Sequence, residues 1–269
     1  MAYLGQDFPF GFLDIPVEAR LRAVKAAGFD EVMIHWQEEN GKDAKERYDQ
    51  AVKAGLRVRT AHFPQERMAD LWREGEAGDW LEAQIIQAIQ ETGERGIENL
   101  VTHTTRRLET PPPNDTGLRR MAHAAEAAEK AGVNIALENT RFLQYNQYFF
   151  DHLDSPRITF CYDCGHAHCF TPGYDPLSLF GSRMTTMHLH DNHGIQDQDE
   201  HLLIGDGNID LGLLFSRLAA LHPVSYNLES RYRGNGMEME EYLAVAHGRL
   251  KYYVDRAERM FSRAEARRR

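Results

Sequence analysis

A polar, alanine-rich segment that ends in glycine and gives way at once to an apolar run recurs along this chain. That recurrence restricts the fold more than any other feature. It is seen in RAVKAAGFDEVMIHW, YDQAVKAGLRVRTAHF, QETGERGIENLVTHT and EAAEKAGVNIALEN, with Gly28, Gly55, Gly96 and Gly132 at the junctions. A helix closes well on a residue in left-handed backbone, which glycine adopts without a Cβ clash. Upstream of the glycines the apolar residues have helical spacing: Val17, Leu21 and Val24 share one face, as do Leu81, Ile85 and Ile89. Downstream, the runs at 31–36, 56–62, 98–103 and 133–138 are short and β-branched or otherwise apolar. The alternation continues with strands at 157–163, 183–191 and 224–230, helices near 175–181, 210–221 and 237–262, and a first strand inside 2–13. Strands that alternate with helices form a parallel sheet. About eight such units predict a single (β/α)8 TIM barrel over residues 1–269. A doubly wound open sheet is the alternative, but no G-x-G-x-x-G follows any strand. The Pro-rich ETPPPND (109–115) reads as a βα loop, not a domain boundary, and the longest loops, 104–114 and 191–209, both follow strands.

Composition narrows the function classes. A net charge of −10 disfavours general affinity for nucleic acid. The basic C-terminal run SRAEARRR reads as a solvated helix end. Cys161, Cys164 and Cys169 are too clustered for a disulfide framework. The N-terminus lacks a signal-peptide pattern and no run is long and apolar enough to span a bilayer, so a cytoplasmic protein is expected.

The last residues of the strands are of one kind. Strands two to four end in His35, His62 and His103, and strand five in Glu138. Strand six ends in Asp163 with His166 just beyond, strand seven carries His188, and strand eight ends in Glu229. Any one of them reads alone as a hydrogen-bonded polar group or a turn residue. Together they converge, because a barrel gathers the carboxyl ends of its strands at one mouth. Carboxylates and imidazoles facing each other are costly to desolvate without a cation. A divalent metal removes that cost, and mixed Glu/Asp/His ligation suits zinc, manganese, iron or cobalt rather than calcium.

The ordered segments ALENTR, CYDCGHAH, MHLHDNHG, DEHLLIGDGNIDL and NLES resemble the xylose-isomerase-like TIM barrel superfamily over essentially the whole chain. That group includes sugar isomerases and epimerases, inosose dehydratase, hydroxypyruvate isomerase and the endonuclease IV repair enzymes. The resemblance to the isomerases implies one divalent ion on Glu138, Asp163, His188 and Glu229, with His166 beside the substrate or a second ion. The resemblance to endonuclease IV adds His62, His103, Asp199 and His201, for a cluster of two or three ions bridged by Glu138. Two departures stand out. His190 replaces an asparagine of the repair enzymes, whose basic DNA-cradling loops are also missing, and no arginine follows His188 a few residues on, where the epimerases grip the sugar.

The resemblance implies metal-assisted isomerisation, epimerisation or dehydration of a keto-sugar, polyol or sugar phosphate, with Glu138 and Glu229 exchanging a proton. The alternative is phosphodiester hydrolysis by a multi-metal cluster, and a less favoured third is a non-catalytic sugar- or metal-binding barrel. The expected partner is a small carbohydrate, with no nucleic acid or membrane, and the family leans toward homo-oligomers. Asn139, Arg141, Asn192 and Arg231 lie just past strand ends, where they can bind substrate, and His190 joins them. His35 and Trp36 are expected to wall the pocket, and most of the aromatics in FLQYNQYFF (142–150) to bury a helix. In CYDCGHAH no second Cys or His pair supports a zinc knuckle. Cys161 is expected to pack beneath the ligand layer, and Cys164 to turn between Asp163 and His166 with Gly165.

Overall fold

The four glycine junctions form a common hydrogen-bonded stop. The computed structural model describes residues 2–8, 10–36, 43–106, 108–234 and 236–266, with side chains to residue 261. Gly28, Gly55, Gly96 and Gly132 have φ of 104°, 81°, 68° and 73°. The amide after each glycine reaches back five residues: Phe29 to Val24, Leu56 to Ala51, Ile97 to Thr92 and Val133 to Ala128. This bond and the buried apolar residue that donates it close the helix and aim the chain into the next strand.

Eight strands result: β1 (Tyr3–Phe8), β2 (Glu31–His35), β3 (Thr60–His62), β4 (Asn99–Thr102), β5 (Asn134–Glu138), β6 (Ile158–Asp163), β7 (Met184–His188) and β8 (Ser225–Leu228). The helices of the described residues are α1 (Val17–Ala26), α2 (Ala44–Lys53), α3 (Glu76–Glu94), α4 (Asp115–Ala131), α5 (Leu143–His152), α6 (Cys164–Cys169), α7 (Pro176–Phe180), α8 (Leu211–Ala219) and α9 (Met239–Ala266). Acidic or amide N-caps start several of them. Asp43, Asn114, Asp163, Asp175 and Asp210 each accept an amide three residues on.

The sheet is parallel and ordered β7-β6-β5-β4-β3-β2-β1-β8. The ends meet where Leu189 bridges Leu228, with Leu189 N donating to Asn227 O at 2.8 Å and Glu229 N to Leu189 O at 2.9 Å. The eight strands with their intervening helices form a (β/α)8 barrel, as the repeat predicts. Among the described residues no helix is long and apolar enough to cross a membrane.

Two strands are shorter than the apolar runs suggest. In 56–62 only Thr60–His62 is ladder, although Leu56 and Val58 are buried on the way in. In 183–191 the ladder with β6 ends at His188; Leu189 turns to β8 and Asp191 pairs antiparallel with Leu202.

The main core lies between sheet and helices, and the predicted faces supply it: Val17, Leu21, Val24, Leu81, Ile85 and Ile89 are all buried. A second small cluster of Val101, Ala136 and Cys161 forms its own buried group on β4, β5 and β6. Cys161 is thus a small buried hydrophobe, and the Cys164 Sγ approaches the carbonyl of His190 at 3.1 Å. Of the aromatics in 142–150, Tyr145, Phe149 and Phe150 are buried and Phe142 and Tyr148 half-buried, so α5 is chiefly a packing helix. The last three residues of the basic run, 267–269, lie outside the described residues.

Candidate metal centre

Every strand from β3 to β8 delivers a donor to the same end of the barrel. The nine candidate ligands fall into three groups whose ligating atoms lie within 4.8 Å of one another. Glu138, Asp163, His188 and Glu229 form the deepest; His62, His103 and Glu138 form a second; His166, Asp199 and His201 form a third. His188 Nδ1 stands 3.1 Å from Glu138 Oε1, 3.1 Å from Glu229 Oε2 and 3.7 Å from Asp163 Oδ2. Glu138 Oε2 faces His62 Nε2 at 3.2 Å and His103 Nε2 at 3.0 Å, so this carboxylate borders two groups. Asp199 Oδ2 lies between His166 Nε2 (3.2 Å) and His201 Nε2 (2.8 Å).

Backbone carbonyls fix the imidazole orientation. Nδ1 of His62 faces Phe63 O at 2.8 Å, that of His166 faces Asn139 O at 3.0 Å, and that of His201 faces Glu229 O at 2.8 Å. A protonated Nδ1 donating to a carbonyl leaves Nε2 as a lone-pair donor toward the carboxylates, which is how metal-binding histidines are commonly held. His201 is held in left-handed backbone at φ 48°, an uncommon state for a non-glycine residue.

The charges fit a cation. Burial alone would raise the Glu138 carboxyl, but His188 and His103 outweigh it and hold it well below the ordinary carboxylate range. Burial is likewise overcome at Glu229 by His188 and His201, at Asp163 by His166 and His190, and at Asp199 chiefly by His166. In return, burial disfavours charge on His166, yet Asp163 and Asp199 raise it well above its usual value. His188 is raised the same way, burial being opposed by Cys161, Glu229 and Glu138. The Cys161 thiol is itself pushed up to about 12 by burial, so near neutrality it is uncharged and the carboxylates hold the His188 proton. The pocket therefore draws positive charge. Asp199 Oδ1 is buried without a hydrogen bond among the described residues, so a carboxylate lone pair remains open to an ion.

Seven of the nine donors line a cavity of about 350 Å³, while Asp163 and His188 sit fully buried beneath it. His35 is in its wall, with Nε2 3.0 Å from Asp7 Oδ1; Arg141 and Arg231 also line it.

Three of the expected substrate contacts are placed elsewhere, and Trp36 is too. Asn139 is fully buried: its amide donates to Asp163 O and accepts Asp163 N, both at 2.8 Å, clamping β5 to β6. Asn192 donates to Gly165 O at 2.9 Å and accepts Gly194 N at 2.9 Å, which braces the loop after β7. His190 lies beneath the cavity wall, with Nε2 3.1 Å from Asp163 Oδ1 and its ring stacked on His201 at 4.2 Å. It therefore lies outside the cavity lining, against the Asp163 carboxylate, and groups with His201 and Glu229. Trp36 points to the helices, where Nε1 donates to Glu91 Oε2 at 3.2 Å.

Sequence reasoning missed Asp7, Arg106 and Arg233. Asp7 is fully buried near the carboxyl end of β1, and its carboxylate groups with His35 and Glu229. Its signal was position, because it falls near a strand end as the other donors do. Arg106 and Arg233 line the cavity from the loops after β4 and β8, beyond the strand ends, where no spacing rule points.

A sequence model described as xylose isomerase-like TIM barrel matches residues 21–250. Among curated proteins, the uncharacterized protein y4fM of Sinorhizobium fredii is 34% identical over 80 residues, which spans 29% of this chain and only 25% of that protein. Among solved structures, an L-ribulose 3-epimerase superposes with a TM-score of 0.79 at 17% identity, covering 100% of both chains. The D-psicose 3-epimerase of Clostridium cellulolyticum H10, solved with D-tagatose, gives 0.76 at 14% identity over 94% of this chain and 99% of that one. A D-tagatose 3-epimerase-like protein gives 0.74 at 18% identity over 96% and 99%. With the family match running through nearly every strand and the fold shared end to end, the chain belongs to the xylose isomerase-like TIM barrel family.

Proposed function

We propose that this protein is a divalent-metal-dependent enzyme that moves a proton at the carbon beside the carbonyl of a small sugar derivative, as an isomerase or epimerase. The observation that carries this reading is the pair Glu138 and Glu229, each 3.1 Å from the same nitrogen of His188. Such a pair can flank a substrate from two strands. Glu138, Asp163, His188 and Glu229 would hold the ion, with Mn, Zn, Co and Fe suited to the donor set. When bound, the ion polarises the carbonyl and acidifies the adjacent C–H. One carboxylate then takes the proton from carbon and the other returns it, so the stereochemical outcome depends on which face each one presents. Glu138, Asp163, His188 and Glu229 are each at most 4% exposed, and that shielding strengthens these electrostatic effects. Full-length superposition on sugar 3-epimerases supports a carbohydrate substrate. A cavity of about 350 Å³ suits a single small molecule.

The groups His62, His103, Glu138 and His166, Asp199, His201 support a second reading, a phosphoester hydrolase working with two or three ions. The cavity size and the net charge of −10 weigh against a duplex nucleic acid as its substrate. Equilibrium metal analysis combined with a panel of ketoses, their phosphates and simple phosphodiesters separates the two. Interconversion of ketoses that Glu138→Gln abolishes supports the first reading. Phosphodiester cleavage with no ketose turnover replaces it with the second.

A further inference from the structure

Among the described residues four arginines, Arg106, Arg141, Arg231 and Arg233, line the same cavity as the candidate ligand groups, and no lysine does. They come from the loops after the adjacent strands β4 and β5 and from the loop after β8. In a protein of net charge −10 this is a local gathering of guanidiniums, which share the cavity with the carboxylates of Glu66, Glu138, Asp199 and Glu229. Their own partners hold them without satisfying them. Arg141 Nε donates to Asp197 Oδ1 at 2.7 Å and its guanidinium lies 3.8 Å over the Phe170 ring, which fixes the plane and leaves the terminal nitrogens without a hydrogen bond among the described residues. Arg231 comes only within 4.0 Å of Glu229 Oε1, and its buried Nε has no partner among the described residues. Arg106 is tethered by Nη1 to Gln65 at 3.3 Å.

We infer that the substrate carries a phosphate group, read by these arginines beside the candidate metal groups. The inference rests on the reading of those groups as a metal centre acting on a small sugar derivative. A carboxylate is satisfied by one bidentate guanidinium, whereas a phosphate offers three charged oxygens in three dimensions and suits guanidiniums arriving from separate loops.

The test uses the full chain loaded with Mn²⁺, its metal content measured. Calorimetric titration with inorganic phosphate and with acetate is run on the wild type, Arg231→Gln, Arg231→Lys and Arg141→Gln. Phosphate should bind more tightly than acetate. Its affinity should fall about tenfold or more in each Gln variant with metal content unchanged, since each loses a charge-assisted hydrogen bond. Arg231→Lys should recover only part. A ketose phosphate should be turned over with higher kcat/KM than its free ketose, and Arg231→Gln should raise KM for the phosphate more than it lowers kcat. Phosphate affinity that is unchanged in both Gln variants, acetate binding tighter than phosphate, or preference for the free ketose overturns the inference. Arginine-dependent phosphate binding without turnover of any sugar upholds the arginine site and refutes the proposed reaction, so the two fail separately.

Discussion

Gly165 is a residue on which the packing beneath the candidate ligands visibly depends. A Cβ built there would lie 1.9 Å from His190 Cε1, 2.4 Å from Nδ1 and 2.5 Å from Nε2. Carbon atoms in contact prefer about 3.5–4.0 Å, so the ring would have to retreat by roughly 1.5 Å. It has nowhere to go: its Nε2 is 3.1 and 3.2 Å from the two Asp163 oxygens, its face is stacked on His201 at 4.2 Å, and it is wholly buried. Gly165→Ala should therefore cost about 1–3 kcal/mol in overpacking, with about 1.5–3 kcal/mol more if the His190–Asp163 bond breaks. His190→Ala removes the obstruction. Gly165 is the second residue of α6, where alanine is the better helix former by about 1 kcal/mol, so in that background the same change should be neutral or stabilising. Urea denaturation of the metal-free wild type, both single variants and the double variant measures the coupling. Equal costs of Gly165→Ala in the two backgrounds would refute the steric argument.

Other outcomes can be checked directly. Glu138→Gln should weaken metal binding in the two groups it borders and lower turnover by at least about a hundredfold; unchanged metal content and rate would sink its assignment. Joint replacement of His62 and His103 by alanine should leave the one-ion stoichiometry on Glu138, Asp163, His188 and Glu229 unchanged; a lower stoichiometry would show a second ion and favour the hydrolase reading. Burial pushes the Cys161 and Cys169 thiols up to about 12, so at pH 8 native protein should resist iodoacetamide and urea-unfolded protein should not. Arg59 grips Glu98 through two nitrogens, one at 2.9 Å, and holds its carboxyl below the usual value. A carboxyl depressed in the fold stabilises above its unfolded pKa, and that stability is lost as pH falls through the folded value. The stability gap between wild type and Glu98→Gln should therefore be present at pH 7 and close on acidification.

The barrel was legible because its signals are local. A glycine stop followed by an apolar run needs only a handful of adjacent residues, and Gly28, Gly55, Gly96 and Gly132 behave as such stops predict. The gathering of His62, His103, Glu138, Asp163, His188 and Glu229 was legible because topology alone brings strand ends together, whereas Asp199 and His201, in the loop after β7, were expected only from the resemblance. Loop side chains were not legible in that way. Asn139 and Asn192 stand one and a few residues past strand ends, as a substrate contact would, yet neighbouring backbone groups engage their amides. Trp36 directly follows His35, and the alternation of an extended chain sends it toward α3 instead of the mouth. Asp7 was overlooked for a different reason: YLGQDF mixes glycine, glutamine and aspartate into a strand that enters the ladder between β2 and β8, and no apolar pattern marks its end.

The joint between β7 and β8 has a bearing on how the chain comes together. Every other neighbouring pair of strands is zipped by a register of two to four partnered residues, while here one bridge, Leu189 to Leu228, closes the circle. On either side of that bridge stand His188 and Glu229. An ion gripping both would act as a clasp over the least secured joint of the wall. Partly assembled chains, with the circle still open, would lack half of the clasp, so capture of such an ion would fall in the last stage of folding, and stripping it would first be felt as faster opening at this one joint.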